Sequence, residues 1–346
     1  MTPVRHPLVD ALKVVAAQLI VWHHLSAYGP LSDALWAQAP ATADWLYDHA
    51  RKAVQVFLVV GGFLAAGTLV QAVDGRRFLS LVGQRYRRLV PPFLVALALA
   101  AGTATVLHRW LSPDLQLASG SVGTWLAHAL LLHDVVDVPA IAAGAWYVAI
   151  DFQLHALLAG LAWLATRLTR PERRHGMALA LLIGLAGASL LHVNRLPEWD
   201  PWALYFVGSY GLGVLAAQAT RGHRAAWVAA IVAIGVAALA IEWRDRIALS
   251  LTVAVLLAAW ATQHAPASPI AQPPLLLRLL AAGADRSYAL FLTHYPLVLA
   301  GNAALARWPD LTAHAWGVAG TGWVAGLVVA WAFARWVEQP LYRRLC

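Results

Sequence analysis

The feature that most constrains this sequence is its rhythm. Apolar runs of about twenty residues recur along the whole chain, separated by short connections rich in Arg, Asp, Pro and Gly. A helix needs roughly 20 mostly apolar residues to cross the hydrocarbon core of a bilayer. Inside lipid, a helix also satisfies all of its backbone polar groups without water. Ten such runs fall near residues 8–26, 53–72, 89–108, 146–166, 176–192, 202–219, 225–242, 247–263, 287–306 and 315–337. The apolar segment 121–133 is shorter, and is expected to form an interfacial or re-entrant helix rather than a span. The pattern predicts an all-α polytopic membrane protein of about ten transmembrane helices. A single membrane-embedded domain over residues 1–346 is expected, with no stretch long enough for a soluble module and no internal repeat.

Charge sets the orientation. Only 12% of residues are charged and mean hydropathy is +0.63, against roughly 25% charged in ordinary soluble domains. With both termini in the cytoplasm, seventeen of the 25 basic residues fall in cytoplasmic segments and seven in outer ones, while 11 of the 17 acids lie outside. That is the positive-inside distribution. The net charge of +8 is therefore read as topology, and no nucleic-acid partner is expected. Arg5 precedes the first apolar helix and no small-residue cleavage site follows, so that helix is expected to be a retained span. The single cysteine, Cys346, excludes an intrachain disulfide and any cysteine metal cluster.

Ionisable groups inside spans cost at least about 2.5 kcal/mol each on insertion scales and usually have a function. The first span carries Asp10, Lys13, His23 and His24. Lys13 and His24 are eleven residues apart, so they share one helix face about 16 Å apart along the axis, with His23 pointing elsewhere. The plainer explanation is that Lys13 snorkels or pairs with Asp10 and that the histidines are interfacial. The fourth span weakens it, since Trp146, Asp151, Gln153 and His155 share one apolar segment. Asp151 is expected near the outer boundary at the depth of His24, where it could orient the imidazole. The ninth span adds Ser287, Tyr288 and a mid-membrane His294 followed by Pro296. Together these suggest a polar cavity. Residues 78–93, FLSLVGQRYRRLVPPF, read as a cytoplasmic loop running into a helix, with Arg85 and Arg88 facing one way. A plain positive-inside loop explains their charge; two guanidinium groups at one mouth would also suit a phosphorylated ligand.

These residues, taken in order, resemble the acyltransferase 3 family of membrane acyltransferases over almost the whole chain. The basic residue, ten residues, then His is Lys13 to His24, with Lys where Arg is usual. The FFVLSGFL-like segment is Phe57 to Leu64, keeping Gly62 and Phe63 but with Gly61 where Ser is common. Arg-x-x-Arg before a Pro is Arg85, Arg88 and Pro91. Trp with an acid five residues on is Trp146 and Asp151, where Glu is commoner. Ser-Tyr…His-x-Pro is Ser287, Tyr288, His294 and Pro296, and the final Glu-x-Pro is Glu338 and Pro340. The resemblance implies transfer of an acyl group, commonly acetyl, from cytoplasmic acyl-CoA to a hydroxyl of a glycan, glycolipid or similar acceptor. It implies a bacterial cytoplasmic membrane, and a homo-oligomer is possible. On it, His24 is expected to be the general base or an acyl carrier, with Lys13 and Asp151 supporting it. Arg85 and Arg88 would hold the CoA phosphates, while Asp10, Trp146, Ser287, Tyr288, His294 and Glu338 would line the polar cavity. No bound cofactor or metal is expected, and acyl-CoA is a substrate. The competing readings are a secondary transporter or flippase, for which intramembrane His, Lys and Asp would form a proton relay, and a degenerate family member that acts as a scaffold.

Overall fold

The computed structural model describes residues 6–115, 120–260 and 274–345; Arg5, Cys346 and the end of the eighth expected span lie outside them. Among the described residues there are helices and no strand. In chain order they are α1 (Pro7–Leu25), α2 (Gly29–Gln38), α3 (Pro40–Asp48), α4 (Val54–Ala65), α5 (Gly75–Leu107), α6 (Val122–Ala129), α7 (Ala145–Leu168), α8 (Arg174–Leu191), α9 (Ala203–Ala219), α10 (Arg224–Ile241), α11 (Asp245–Trp260), α12 (Leu275–Thr293), α13 (Tyr295–Arg307), α14 (Ala315–Phe333) and α15 (Gln339–Leu345).

Among the described residues, seven helical segments are long and apolar enough to cross a membrane, and α12 with α13 makes an eighth, bent by 53°. The other two expected spans are α9, apolar but 17 residues long, and α11, whose described residues stop at Trp260. The segment expected as a short helix near 121–133 is α6, eight residues long and N-capped by the Ser121 hydroxyl, which accepts from the Thr124 N–H.

Two expectations are corrected. Residues expected to form a loop before a helix starting near Arg85 are already helix: α5 starts at Gly75 and runs 33 residues, roughly 50 Å. The reason is local. Asp74 caps the helix, its carboxylate accepting the Arg77 N–H at 2.7 Å, which satisfies a donor that no helical turn can reach. Pro91 and Pro92 lie inside α5 without ending it. The ninth span is not one continuous helix either. Pro296 has no N–H to return to the preceding turn, and the helix breaks at His294.

Contacts divide the chain into two compact units, neither of them a continuous stretch. Unit 1 is residues 1–13, 54–86 and 150–282; unit 2 is residues 14–53, 87–149 and 283–346. Unit 1 is organised on α9, which packs against α4, α8, α10 and α11; all but one of its 17 residues are buried. Glycines allow this. A Cβ on Gly62 would fall 1.9 Å from the Tyr210 carbonyl oxygen, and one on Gly213 would fall 1.9 Å from that of Val59, so the backbones of α4 and α9 touch as small-residue membrane pairs do. At Gly61 a Cβ would meet the Tyr210 ring at 3.4 Å, so a small side chain fits there. A buried cluster of Gln55, Ser209 and Ser250 adds hydrogen bonds of 2.8 to 3.2 Å between α4, α9 and α11.

In unit 2, α13 packs against α2 and α14. Gly29 makes the turn out of α1 with φ +63 and lies against Asn302, whose amide oxygen accepts the Leu31 N–H at 2.9 Å. The buried rings of His128, in the last turn of α6, and His133, just after it, stack at 4.2 Å, 9° from parallel. Burial, and secondarily the His128 ring, lower the His133 pKa from 6.5 to about 4, despite the Asp134 carboxylate 3.3 Å away. The charged form is thus disfavoured in the folded state, so this group's contribution is complete above pH 6.5 and is lost as pH falls toward 4. At about 1.4 kcal/mol per pKa unit, the full loss is on the order of 3 kcal/mol. Hydrogen exchange over residues 128–138, corrected for intrinsic rate, should show falling protection between pH 7 and pH 4.5; unchanged protection over that range would contradict it.

Candidate functional site

Four of the expected site residues lie in unit 1 and seven in unit 2. In unit 2 the last turn of α1 carries His24, and the α12–α13 break carries His294. Both side chains are buried, at 7% and 1% exposure. His24 Nδ1 is 2.6 Å from His294 Nε2. The rings are 8° from parallel with centres 4.7 Å apart, so they meet edge to edge through those nitrogens. Among the described residues no hydrogen bond reaches His24 Nε2. An imidazole held at one nitrogen and unengaged at the other is the arrangement a proton acceptor needs.

The surroundings are aromatic. Tyr28 lies 5.9 Å from the His24 ring and 6.2 Å from that of Tyr295, and Phe291 lies against both His294 and Tyr147. Gly144, with φ +83, passes beside the imidazole; a Cβ there would come within 3.0 Å of Phe291 and 3.8 Å of His24 Cε1. His23 is also buried, its Nδ1 3.3 Å from the Leu46 carbonyl, and its ring centre is 5.0 Å from that of His24. Tyr28, Gly144 and Phe291 were not anticipated from the sequence. The one available signal was a glycine immediately before the apolar α7.

In unit 1 the expectation for Asp151 is corrected. Its carboxylate is taken by Arg85, with Nε to Oδ2 at 3.0 Å and Nη2 to Oδ1 at 2.6 Å, while the hydrogen-bond partner of His24 is His294. A guanidinium outcompetes an imidazole for a carboxylate because it is always charged and offers a two-pronged match. This pair also puts the Arg85 and Asp151 head groups at one depth. The expected arrangement, with Arg85 at the inner mouth and Asp151 near the outer boundary, therefore does not stand for both. Asp10 and Lys13 are half-buried in the first two turns of α1.

Arg88, in unit 2, is exposed and lies 5.8 Å over the ring of Tyr342 on α15, which also carries exposed Arg343 and Arg344. Of the two arginines expected to face a phosphorylated ligand, Arg85 already holds an internal anion and Arg88 lies at the surface beside this second basic segment. The Tyr288 hydroxyl donates to the Leu89 carbonyl at 2.9 Å, near the proline pair of α5. The Ser287 hydroxyl is turned back onto the Ala284 carbonyl of its own helix at 2.9 Å. Trp146 packs edge-on against Tyr147 in the first turn of α7. Glu338 is half-buried and ends the π-helical turn Ala334–Glu338.

A family model described as an acyltransferase domain, Acyl_transf_3, matches residues 7–335. The chain belongs to the acyltransferase 3 family. Comparison with curated proteins and with solved structures gives no match. Membership makes the reaction class acyl transfer, carried out by a helical membrane protein. Two of the family-like motifs quoted above acquire structural meaning here. Gly62 lets two backbones touch, and His294 with Pro296 forms a helix break that delivers an imidazole to His24.

Proposed function

We propose that this acyltransferase moves an acetyl group from cytoplasmic acetyl-CoA to a hydroxyl of a glycan, glycolipid or similar acceptor, with both termini in the cytoplasm of a bacterial inner membrane. The observation that carries the reading is the buried His24 with Nε2 unengaged. An acceptor hydroxyl is a weak nucleophile at neutral pH, and imidazole is the side chain best matched to activate it. His24 Nε2 takes the hydroxyl proton as the acceptor oxygen bonds to the thioester carbonyl carbon. The C–S bond then breaks, and the CoA thiolate leaves and takes that proton. The net change is acyl-S-CoA plus HO-R to acyl-O-R plus HS-CoA. Arg88, with Arg343 and Arg344, would meet the CoA phosphates, and Lys13 would lie toward the donor side of α1. Aromatic faces beside His24 suit the apolar face of a sugar ring.

The test uses the whole chain purified in detergent or nanodiscs, with radiolabelled acetyl-CoA. Saturable binding and transfer of label to a hydroxyl-bearing acceptor are expected. Ion or lipid translocation without acetyl-CoA binding would replace this reading by a transporter, and binding without transfer to any of a panel of glycan and lipid acceptors would count for a scaffold.

A further inference from the structure

The hydrogen bonds around His294 fix where every imidazole proton in the pair sits. His294 Nδ1 is 3.2 Å from the Leu290 carbonyl oxygen. A carbonyl only accepts, so Nδ1 carries the hydrogen, and in a neutral imidazole Nε2 then holds the lone pair. That lone pair faces His24 Nδ1 at 2.6 Å, so His24 Nδ1 is the donor and His24 Nε2 holds the remaining lone pair. The chain of donors runs from His24 Nδ1–H to His294 Nε2, and from His294 Nδ1–H to Leu290. It ends on a backbone carbonyl, which cannot pass a proton on.

We propose that His294 is a positioning residue: it locks His24 in the Nδ1–H tautomer and shares the positive charge while His24 holds the acceptor's proton. The proposal rests on the reading of His24 as base. The backbone provides the device, because the break at Pro296 turns the His294 ring toward α1 while keeping it anchored to its own helix. The dead end at Leu290 has a mechanistic consequence. The proton cannot leave through His294, so it returns by His24 Nε2, the atom that received it, to the departing thiolate. Base and acid are one nitrogen, used twice.

The test separates the tautomer from the turnover. In 15N-imidazole spectra of the intact protein at mildly alkaline pH, His24 should be a single Nδ1–H tautomer. His294→Gln keeps an acceptor at the reach of Nε2 and should keep both that spectrum and most of the turnover. His294→Leu removes the acceptor; a mixed tautomer is expected, with kcat reduced roughly 10²-fold and KM for acetyl-CoA unchanged. His294→Asn, which is polar but too short to reach His24, should behave like the leucine variant and serves if that one fails to accumulate. Wild-type turnover in both the leucine and asparagine variants, or an Nε2–H tautomer in the unmodified protein, overturns the proposal. The two readings fail separately: full transfer by His24→Ala would remove the base assignment while leaving the tautomer spectrum intact.

Discussion

His24→Ala protein should accumulate in the membrane and bind acetyl-CoA, yet transfer the acyl group at least ~10²-fold more slowly, within the range that general base catalysis supplies. The expected split between binding and turnover follows from position. His24 is buried in unit 2, hydrogen-bonded among the described residues through Nδ1 alone, and belongs to none of the exposed basic surface expected to meet a CoA phosphate. Its removal leaves His294 Nε2 without a donor, at a cost of about 1–3 kcal/mol, which is a destabilisation and not an unfolding. His23→Ala is the informative comparison, because its ring is only 5.0 Å away and equally buried but is turned toward the Leu46 carbonyl. It should lose less than about tenfold, far short of a lost general base. Equal losses in the two variants, measured as label transferred per correctly inserted molecule, would mean that the cluster matters for packing and that neither ring is the base.

The largest stability effect is expected in unit 1. Gly213→Ala should destabilise the fold by about 3 kcal/mol or more, at the upper end of overpacking, because the new Cβ would meet the Val59 carbonyl at 1.9 Å. Backbone cannot rotate aside as a side chain can, so relief requires α4 and α9 to separate along their length. Gly62→Ala raises the same clash from the opposite helix, against the Tyr210 carbonyl, and the two substitutions together should cost less than the sum of each because one separation relieves both. Gly184→Ala is the control. It lies in α8 with nothing within 4 Å of its Cβ position, and it should be neutral or gain up to about 1 kcal/mol of helix propensity. Unfolding in mixed micelles ranks the three. A tolerated Gly213→Ala would show that the close approach of α4 and α9 is not maintained in the bilayer.

How much of this was legible in the sequence differs by level. The helical membrane class was readable from apolar runs, because lipid leaves the backbone so few ways to satisfy its hydrogen bonds. The family was readable too, from short motifs in the right order. Boundaries were less so. The segment from Arg76 to Gln84 read as loop because periodicity weighs side-chain polarity, whereas Asp74 and helix propensity set the start of α5. For the site, His24 and His294 were each singled out but not paired. Asp151 was expected to serve His24 because depth along a span can be counted while rotation and neighbour choice cannot.

Sequence by itself therefore determined the solvent of this protein, its helical character, its family and some of its buried ionisable groups, His24, Asp151 and His294 among them, but not His128, His133 or Arg244. These follow from local composition and spacing, which act through one helix at a time. Only the tertiary structure decided which of those groups meet: Arg85 with Asp151, and His24 with His294. Partner choice depends on how helices far apart in the chain rotate and pack. It also depends on a break at Pro296 and on glycines that let backbones touch, and a hydrogen bond of 2.6 Å tolerates no error in either.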